Sequence, residues 1–371
     1  MMSYSRSNVV IAGGGTGGHV FPALAIADGL VECGVPVDNI TFFGSGRTLE
    51  KEVIPQAGYR LVTFTGRGLN KREFFRNIFN VVAIKWACIK ALTLFMRHRP
   101  VVVVGVGGYA SVPALAAATL LGIKRVVHEQ NAYLGRTNRL AQKMGATVIT
   151  TFAETAGTSS RSLHMGLPMR VTIDEAIALR NKYRENSRGI PTVLIAGGSL
   201  GSQKINDTVV AMVQEHQSEI NWNLIHICGD AHFETLTVLY KQKGLSDKVA
   251  LYPFRKDIVN LYAQSDCVVS RAGAGTVVEL ATLGVKCLLI PLSSAPGDHQ
   301  RRNAEHLEKE QCVILDQSHV SAEILFAEIT AQLNNVDITE PDLYHQRARL
   351  RIANYLVDNY LSPPHNESAV Q

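Results

Sequence analysis

Short runs rich in valine and isoleucine alternate along this 371-residue chain with stretches of helical period, and the alternation starts over once. In the first half the runs fall near residues 8–12, 40–43, 61–64, 101–106, 125–129 and 147–151. In the second half they fall near 192–196, 224–228, 250–254, 267–270, 287–291 and 312–315. Strands this uniformly apolar are buried on both faces, as in parallel sheets whose crossover helices cover each side. The order predicts an α/β chain of two doubly wound, Rossmann-like parallel-sheet domains facing each other across a cleft. The second series follows the polar stretch "YRENSRGIP", 183–191. We place the domain break near Pro168, giving domains over 1–168 and 169–342. A helix near 343–360 is expected to pack back toward the first half, with a disordered tail to 371.

Composition narrows the class. Hydrophobic residues make up 46% and charged residues 19%, enough apolar material for two cores. A net charge of +5 is too mild for a nucleic-acid binder and suits an anionic substrate or membrane surface. None of the six cysteines stands in CxxC spacing, so they read as buried thiols in a reducing compartment. The start, "MMSYSRSNVV", has no signal-peptide pattern, and a cytosolic protein is expected.

The first run ends in "GGGTGGHVFPALAIA": five glycines around Thr16, then His19, then a helical pattern. Bare backbone between a strand and a helix turns several N–H groups toward one point, a site for an anion or a sugar. It also permits a tight turn and nothing more. The spacing Gly13-x-Gly15-x-x-Gly18 fits a dinucleotide turn, but the second strand, "ITFFGSG", ends without the acid that would hold a ribose, which weighs against a redox role. The loop "GGSLGSQKIND" opens the second half in the same way, with Ser199 and Ser202 as hydroxyl donors. Gly197-x-Ser199-x-Gly201 mimics a nucleophile elbow, yet no Asp-then-His pair follows in hydrolase order.

Two further loops carry polar groups. "SRAGAGTVVELATLG" places Glu279 early on a helix, as an acceptor for sugar hydroxyls or simply as a carboxylate favoured by the helix dipole. "DHQRRNAEHLEKE" offers Asp298 as a helix cap, with His299, Gln300 and Asn303 beyond it. In the first half "HEQNAYLGRTNRLA" puts His128, Glu129, Gln130 and Asn131 at a strand end, where burying them unpaired is costly and a ligand crevice is expected. No Asp-x-Asp pair occurs, which weighs against a metal-carried nucleotide.

Residues 70–100, "NKREFFRNIFNVVAIKWACIKALTLFMRHRP", form a long helical pattern interrupted by Lys85 and Lys90. A spanning helix needs roughly 20 mostly apolar residues, and a central lysine costs about 2.5–3.5 kcal/mol. An interfacial helix is expected instead, with Phe74, Phe75, Ile78, Phe79 and Trp86 set among Lys71, Arg72 and Arg76, its first turns in anionic headgroups and the remainder packed on the sheet.

Taken together, "GGGTGGHVFPALAIA", "GVGGYASVPALAA", "HEQNAYLGRTNRLA", "GGSLGSQKIN", "SRAGAGTVVELATLG" and "DHQRRNA", in that order, resemble the bacterial MurG family of glycosyltransferases over nearly the whole chain. The resemblance implies a GT-B fold. It implies inverting transfer of N-acetylglucosamine (GlcNAc) from UDP-GlcNAc to the 4-hydroxyl of undecaprenyl-diphospho-muramoylpentapeptide, in peptidoglycan synthesis and so in cell shape and division. By matching motifs it puts Thr16, Gly17, Gly18, Asn131, Arg170, Ser199, Glu279 and Gln300 at donor-binding positions, with first-half loops holding the acceptor diphosphate. Glu279 would take the ribose, Gln300 and Asn131 sugar hydroxyls, and Ser199 and Arg170 the nucleotide diphosphate. Arg255 stands where an apolar residue usually meets the base, and a backbone contact to uracil there would survive. His19 is the expected catalytic residue, as base or as hydrogen-bond donor. No cofactor or essential metal is implied. The implied partners are UDP-GlcNAc, the lipid-linked acceptor, an anionic membrane surface and cell-wall assembly proteins, without nucleic acid, at the inner face of the cell membrane. Leu167 in "GLPMR" and Leu200 in "GGSLGS" depart from the family pattern. Another GT-B lipid glycosyltransferase, a UDP-GlcNAc 2-epimerase and a silent UDP-sugar-binding scaffold remain the alternatives.

Overall fold

The computed structural model describes residues 9–64, 74–170, 172–186, 189–198, 200–307, 312–335 and 340–361. Lys71, Arg72, Ser199 and the tail beyond 361 lie outside these residues, as do the side chains of Phe74, Phe75, Arg76, Ile78 and Phe79. The chain divides into two compact units. The first takes 9–130, 134–170 and 347–361, and the second takes 131–133 and 172–346. Where the sequence suggests single breaks near 168 and 343, the chain thus leaves the first unit briefly at 131–133 as well.

The first unit is a seven-stranded parallel sheet. Its strands are β1 (Val9–Ala12), β2 (Ile40–Gly44), β3 (Arg60–Thr63), β4 (Val102–Gly105), β5 (Lys124–Glu129), β6 (Thr147–Thr150) and β7 (Leu163–His164). The order is β3-β2-β1-β4-β5-β6-β7, so the direction of winding reverses between β1 and β4. That reversal opens a crevice at the carboxyl ends of those two strands. Side chains of β1 alternate between two cores, as period-two geometry requires. Val9 and Ile11 join Leu24, Phe42 and Ile352 on one face, while Val10 and Ala12 join Phe43, Phe95 and Val103 on the other. The two-residue β7 is too short and too mixed to stand out in the sequence.

The second unit repeats the plan with six parallel strands. They are β8 (Thr192–Ala196), β9 (Asn223–Ile227), β10 (Val249–Tyr252), β11 (Cys267–Ser270), β12 (Lys286–Leu289) and β13 (Cys312–Ile314), in the order β10-β9-β8-β11-β12-β13. Two buried polar side chains here are tied into the fold by hydrogen bonds. His226 on β9 meets Asn206 Oδ1 at 3.0 Å and the Tyr240 hydroxyl at 3.1 Å, and burial pushes its pKa down to about 4. The Arg180 guanidinium, on the helix Thr172–Asn186, donates to the carbonyls of Ser265 and Gly284.

The closing helix is Ala348–Leu356, shorter than the sequence suggests, preceded by a 3₁₀ turn and followed by a π turn. It lies in the first unit against the helix Gly17–Glu32. Their backbones approach at Gly29, where a Cβ would stand 2.7 Å from the Arg349 carbonyl oxygen. Arg349 also pairs with Glu32 at 3.1 Å. Gly29→Ala should therefore overpack this contact at a cost of about 1–3 kcal/mol. A thermal melt of the full chain should show the first unit melting several degrees lower, and an unchanged melt would mean the two helices are not held at this spacing.

Candidate functional site

The glycine turn after β1 is shaped by a residue the sequence reading passed over. Glu50 is fully buried in the first turn of the helix Thr48–Gln56. Its Oε1 accepts from the Gly15 N–H and the Ser45 hydroxyl, each at 2.6 Å, and its Oε2 accepts from the Gly46 N–H at 2.7 Å. Gly14, at φ +152°, passes so close that a Cβ there would strike this carboxylate, and a Cβ on Gly44 would meet its Oε2 at 2.5 Å. The end of β2 is therefore glycine and not the acid of a dinucleotide site, because Glu50 already fills that space. A glutamate at the third position of a helix, reaching back to the N–H groups before it, was the available signal.

Beyond that turn the helix Gly17–Glu32 starts at Thr16, with extended backbone, no side-chain cap and no acid in its first turn. Its first N–H groups have no intrahelical acceptor. Thr16 and Gly18 are exposed and Gly17 is half-buried. His19 follows, its Nδ1 3.1 Å from Gln130 Oε1. Burial lowers its pKa, opposed by the Glu129 charge and by hydrogen bonds to Gln130 and the Val106 carbonyl, so the ring is neutral at pH 7. The cluster ending β5 is paired internally. Glu129 Oε2 accepts from the Gly135 N–H at 2.8 Å and from Asn138 Nδ2 at 2.9 Å, and His128 Nε2 lies 3.0 Å from the Gly166 carbonyl. Arg170 belongs to this unit as well, its guanidinium 5.9 Å from the centre of the half-exposed Phe21 ring.

The second unit gathers Asn131, Glu279 and Gln300, with Arg255 on the loop after β10. Buried Asn303 ties the segment 131–133 down: its Oδ1 accepts from the Ala132 N–H at 2.8 Å, and its Nδ2 donates to Asn131 Oδ1 at 3.2 Å and to the Ala272 carbonyl at 3.1 Å. Gln300 Oε1 accepts from the Leu292 N–H at 2.9 Å, leaving its NH₂ end as the donor. Asp298 is not the expected cap. It makes no side-chain cap bond and takes a left-handed backbone, φ 52°, forced by the turn at Gly297.

Glu279 sits half-buried in the helix Ala274–Leu283, whose start at Gly273 is uncapped. Desolvation raises its pKa to about 7. Arg255 is clamped in two hydrogen bonds by Asp257, at 2.8 and 2.7 Å, and lies 4.8 Å over the Tyr252 ring. Its guanidinium thus lies against the last residue of β10. Buried Arg271, also unmarked in the sequence, donates to the Ser202 hydroxyl at 2.6 Å and to the Ile290 carbonyl at 2.9 Å. It thereby anchors the second glycine turn, where Gly201 crosses the Cys228 carbonyl too closely for any side chain. Of the two departures, Leu167 is buried and Leu200 is exposed. Among the described residues no cluster of histidine, cysteine or acidic side chains is arranged to hold a metal ion.

The helix Phe74–Arg97 buries Ala87, Ala91 and Phe95 along one stripe and exposes Val82, Trp86, Ile89 and Met96 along the opposite one. Trp86 is 67% exposed. Among the described residues no helix is long and apolar enough to cross a membrane.

Residues 9–150 match the N-terminal domain model of glycosyltransferase family 28, and residues 192–343 match its C-terminal domain model. A protein of Ectopseudomonas mendocina named UDP-N-acetylglucosamine--N-acetylmuramyl-(pentapeptide) pyrophosphoryl-undecaprenol N-acetylglucosamine transferase is 36% identical over 89% of this chain and 90% of its own. A protein of the same name from Bacteroides thetaiotaomicron is 31% identical over 85% of this chain and 87% of its own. The crystal structure of Acinetobacter baumannii MurG superposes with a TM-score of 0.74 at 29% identity, covering 95% of this chain and 98% of that one. The UDP-GlcNAc 2-epimerase of Methanocaldococcus jannaschii shares the fold alone, at 12% identity and a TM-score of 0.61 over 95% of this chain and 99% of that one.

Replacing Glu50 by alanine or glutamine should cost about 2–4 kcal/mol, because backbone donors lose their acceptor and the amide of glutamine would turn a donor toward a donor. Urea unfolding of the full chain checks this. A midpoint unchanged in both variants would show that the turn holds its shape without the carboxylate.

Proposed function

The chain belongs to the MurG family of glycosyltransferases, and on that footing we propose that it moves GlcNAc from UDP-GlcNAc to the 4-hydroxyl of undecaprenyl-diphospho-muramoylpentapeptide, inverting the anomeric carbon, in peptidoglycan synthesis. In this reading the second unit holds the donor. Glu279 accepts hydrogen bonds from the ribose, Asn131 and Gln300 meet sugar hydroxyls, Arg255 and the backbone beside it meet the base, and Ser199 meets the diphosphate; Arg170, a residue of the first unit, adds its charge to the same diphosphate. Thr16, Gly17 and Gly18 present donors to substrate at the first helix start. His19 takes the proton of the acceptor hydroxyl as its oxygen bonds to the anomeric carbon. The bond from that carbon to the diphosphate breaks, and UDP leaves with the electron pair. Helix starts and arginine meet the diphosphate charge, so no metal or cofactor is required. The observation that carries the reading is a neutral, desolvated histidine beside an uncapped glycine helix start, in a chain over 30% identical to two distant organisms' transferases of one name.

The exposed stripe of the helix Phe74–Arg97, with Lys85 beside it, supports peripheral binding to an anionic membrane surface, where the acceptor's lipid tail lies. The basic residues Lys71 and Arg72 and the apolar residues Phe74, Phe75, Ile78 and Phe79 belong to the same proposal, as do the cytoplasmic face and contact with cell-wall assembly proteins.

Transfer of radiolabelled GlcNAc to a short-chain muramoyl-diphospholipid is the direct test. Label should reach the lipid from UDP-GlcNAc and not from other nucleotide sugars. His19→Ala should lower turnover by about 10²–10⁴ with an unchanged melt. UDP-GlcNAc converted without acceptor would favour the epimerase, and UDP-GlcNAc bound without either reaction the scaffold.

Glu279 gives a pH test. With its pKa raised to about 7, the ligand-free protein holds this carboxyl protonated in mild acid. Only the carboxylate accepts freely from both ribose hydroxyls. Affinity for UDP should thus rise between about pH 6 and pH 8 and lose that dependence in Glu279→Gln, read by calorimetry. A flat wild-type profile would remove Glu279 from the ribose. For the membrane, Trp86→Glu combined with Ile89→Glu should abolish cosedimentation with phosphatidylglycerol vesicles and leave transfer to a soluble acceptor intact. Undiminished cosedimentation would place the contact elsewhere.

A further inference from the structure

The Gln130 amide lies between two imidazoles, and its orientation is decided by a third group. Its Nε2 stands 3.2 Å from the His128 carbonyl oxygen and 3.1 Å from His128 Nδ1, while its Oε1 stands 3.1 Å from His19 Nδ1. A carbonyl oxygen only accepts, so the NH₂ end must face His128. His128 Nδ1 then carries a lone pair, and its ring proton sits on Nε2, where the Gly166 carbonyl accepts it at 3.0 Å. At the other end Oε1 only accepts, so His19 must donate from Nδ1. A neutral imidazole that donates from Nδ1 carries its lone pair on Nε2.

We propose that Gln130 is a positioning residue: held by His128, it fixes His19 as the Nδ1–H tautomer and makes Nε2 the atom that takes the acceptor hydroxyl's proton. The tautomer assignment stands on geometry alone, and its catalytic consequence rests on the function proposed above. An unconstrained imidazole populates both tautomers, and in the Nε2–H form the outward nitrogen is a donor and no base. Gln130 is 3% exposed and His128 fully enclosed, while His19 is partly exposed, so the bonds that set the amide are shielded from water and the imidazole they aim is within reach of it. The neighbouring Glu129 carboxylate is engaged by Gly135 and Asn138. Gly108 leaves the Nε2 edge of the ring without a side chain where a Cβ would stand 3.6 Å away. Burial, the larger influence on His19, keeps the ring neutral and able to act as the base.

The experiment is long-range proton–nitrogen correlation on the full chain labelled with ¹⁵N-histidine, with His19 and His128 assigned through His19→Gln and His128→Gln. The ligand-free wild type should show His19 protonated on Nδ1 and His128 on Nε2. Gln130→Met, of similar length but without polar ends, should move His19 toward the Nε2–H form. It should also lower kcat about tenfold, a part of the full general-base effect, with KM for UDP-GlcNAc changed less than twofold. A packing role alone would shift the melt and leave the tautomer as it was. Wild-type His19 protonated on Nε2, its one N–H then turned to the Val106 carbonyl and not to Gln130, overturns the proposal, even if Gln130→Met fails to fold. So does a Gln130→Met protein whose tautomer has changed and whose kcat has not. Tautomers as expected in a protein that transfers no GlcNAc would instead sink the function and leave the hydrogen-bond assignment standing.

Discussion

A buried carboxylate that accepts from Gly15, Ser45 and Gly46 sets the shape of the loop edge in the first unit. With the Gly13 N–H on the Phe43 carbonyl and Arg47 on the Gly15 carbonyl, Glu50 fixes the direction of the glycine turn after β1 and so the place of the helix start beyond it. Arg271 does the corresponding work in the second unit with the opposite charge, joining the Ser202 hydroxyl to the carbonyl at the end of β12. In both units a charged side chain, withdrawn from solvent and engaged by several hydrogen bonds, holds a glycine loop in place. Burying such a charge is costly unless it is fully paired, and both are used where a flexible loop most needs an anchor.

Two histidines show how environment separates a ring locked in the core from one left at the rim. His226 and His19 are both desolvated and both lowered in pKa. His226 has both ring nitrogens engaged, by Asn206 and by Tyr240, and fills the core of its sheet. His19 stands at the rim, one nitrogen on Gln130 and the other edge beside a glycine. Burial disfavours the charged ring in each, but only in His19 does the neutral ring sit at the carboxyl edge of a parallel sheet, beside a helix start without a cap.

Much of this was open to reading from the sequence. Continuous apolar runs place twelve of the thirteen strands among the described residues, most of them buried along their length, with the partly exposed β3 and β10 at the sheet edges. The glycine motifs mark the loops, and their order carries the family. Glu50 and Arg271 were not marked, because a lone carboxylate or guanidinium near a loop reads as solvated until its partners, distant in sequence, are known. Asp298 misled for a related reason: its residue type suits a cap, but the backbone at Gly297 turns it into the left-handed region.

The sequence by itself determined the parallel α/β architecture, the restart that makes two units, the glycine turns and the family, because each is written in local pattern or in the order of motifs. Only the tertiary structure decided which charges are buried and with what they pair, that the chain crosses to the second unit at 131–133, that desolvation raises the Glu279 pKa to about 7, and which groups surround the two nitrogens of His19. Those outcomes depend on desolvation and on hydrogen-bond partners far apart along the chain, and neither quantity exists until the chain has folded.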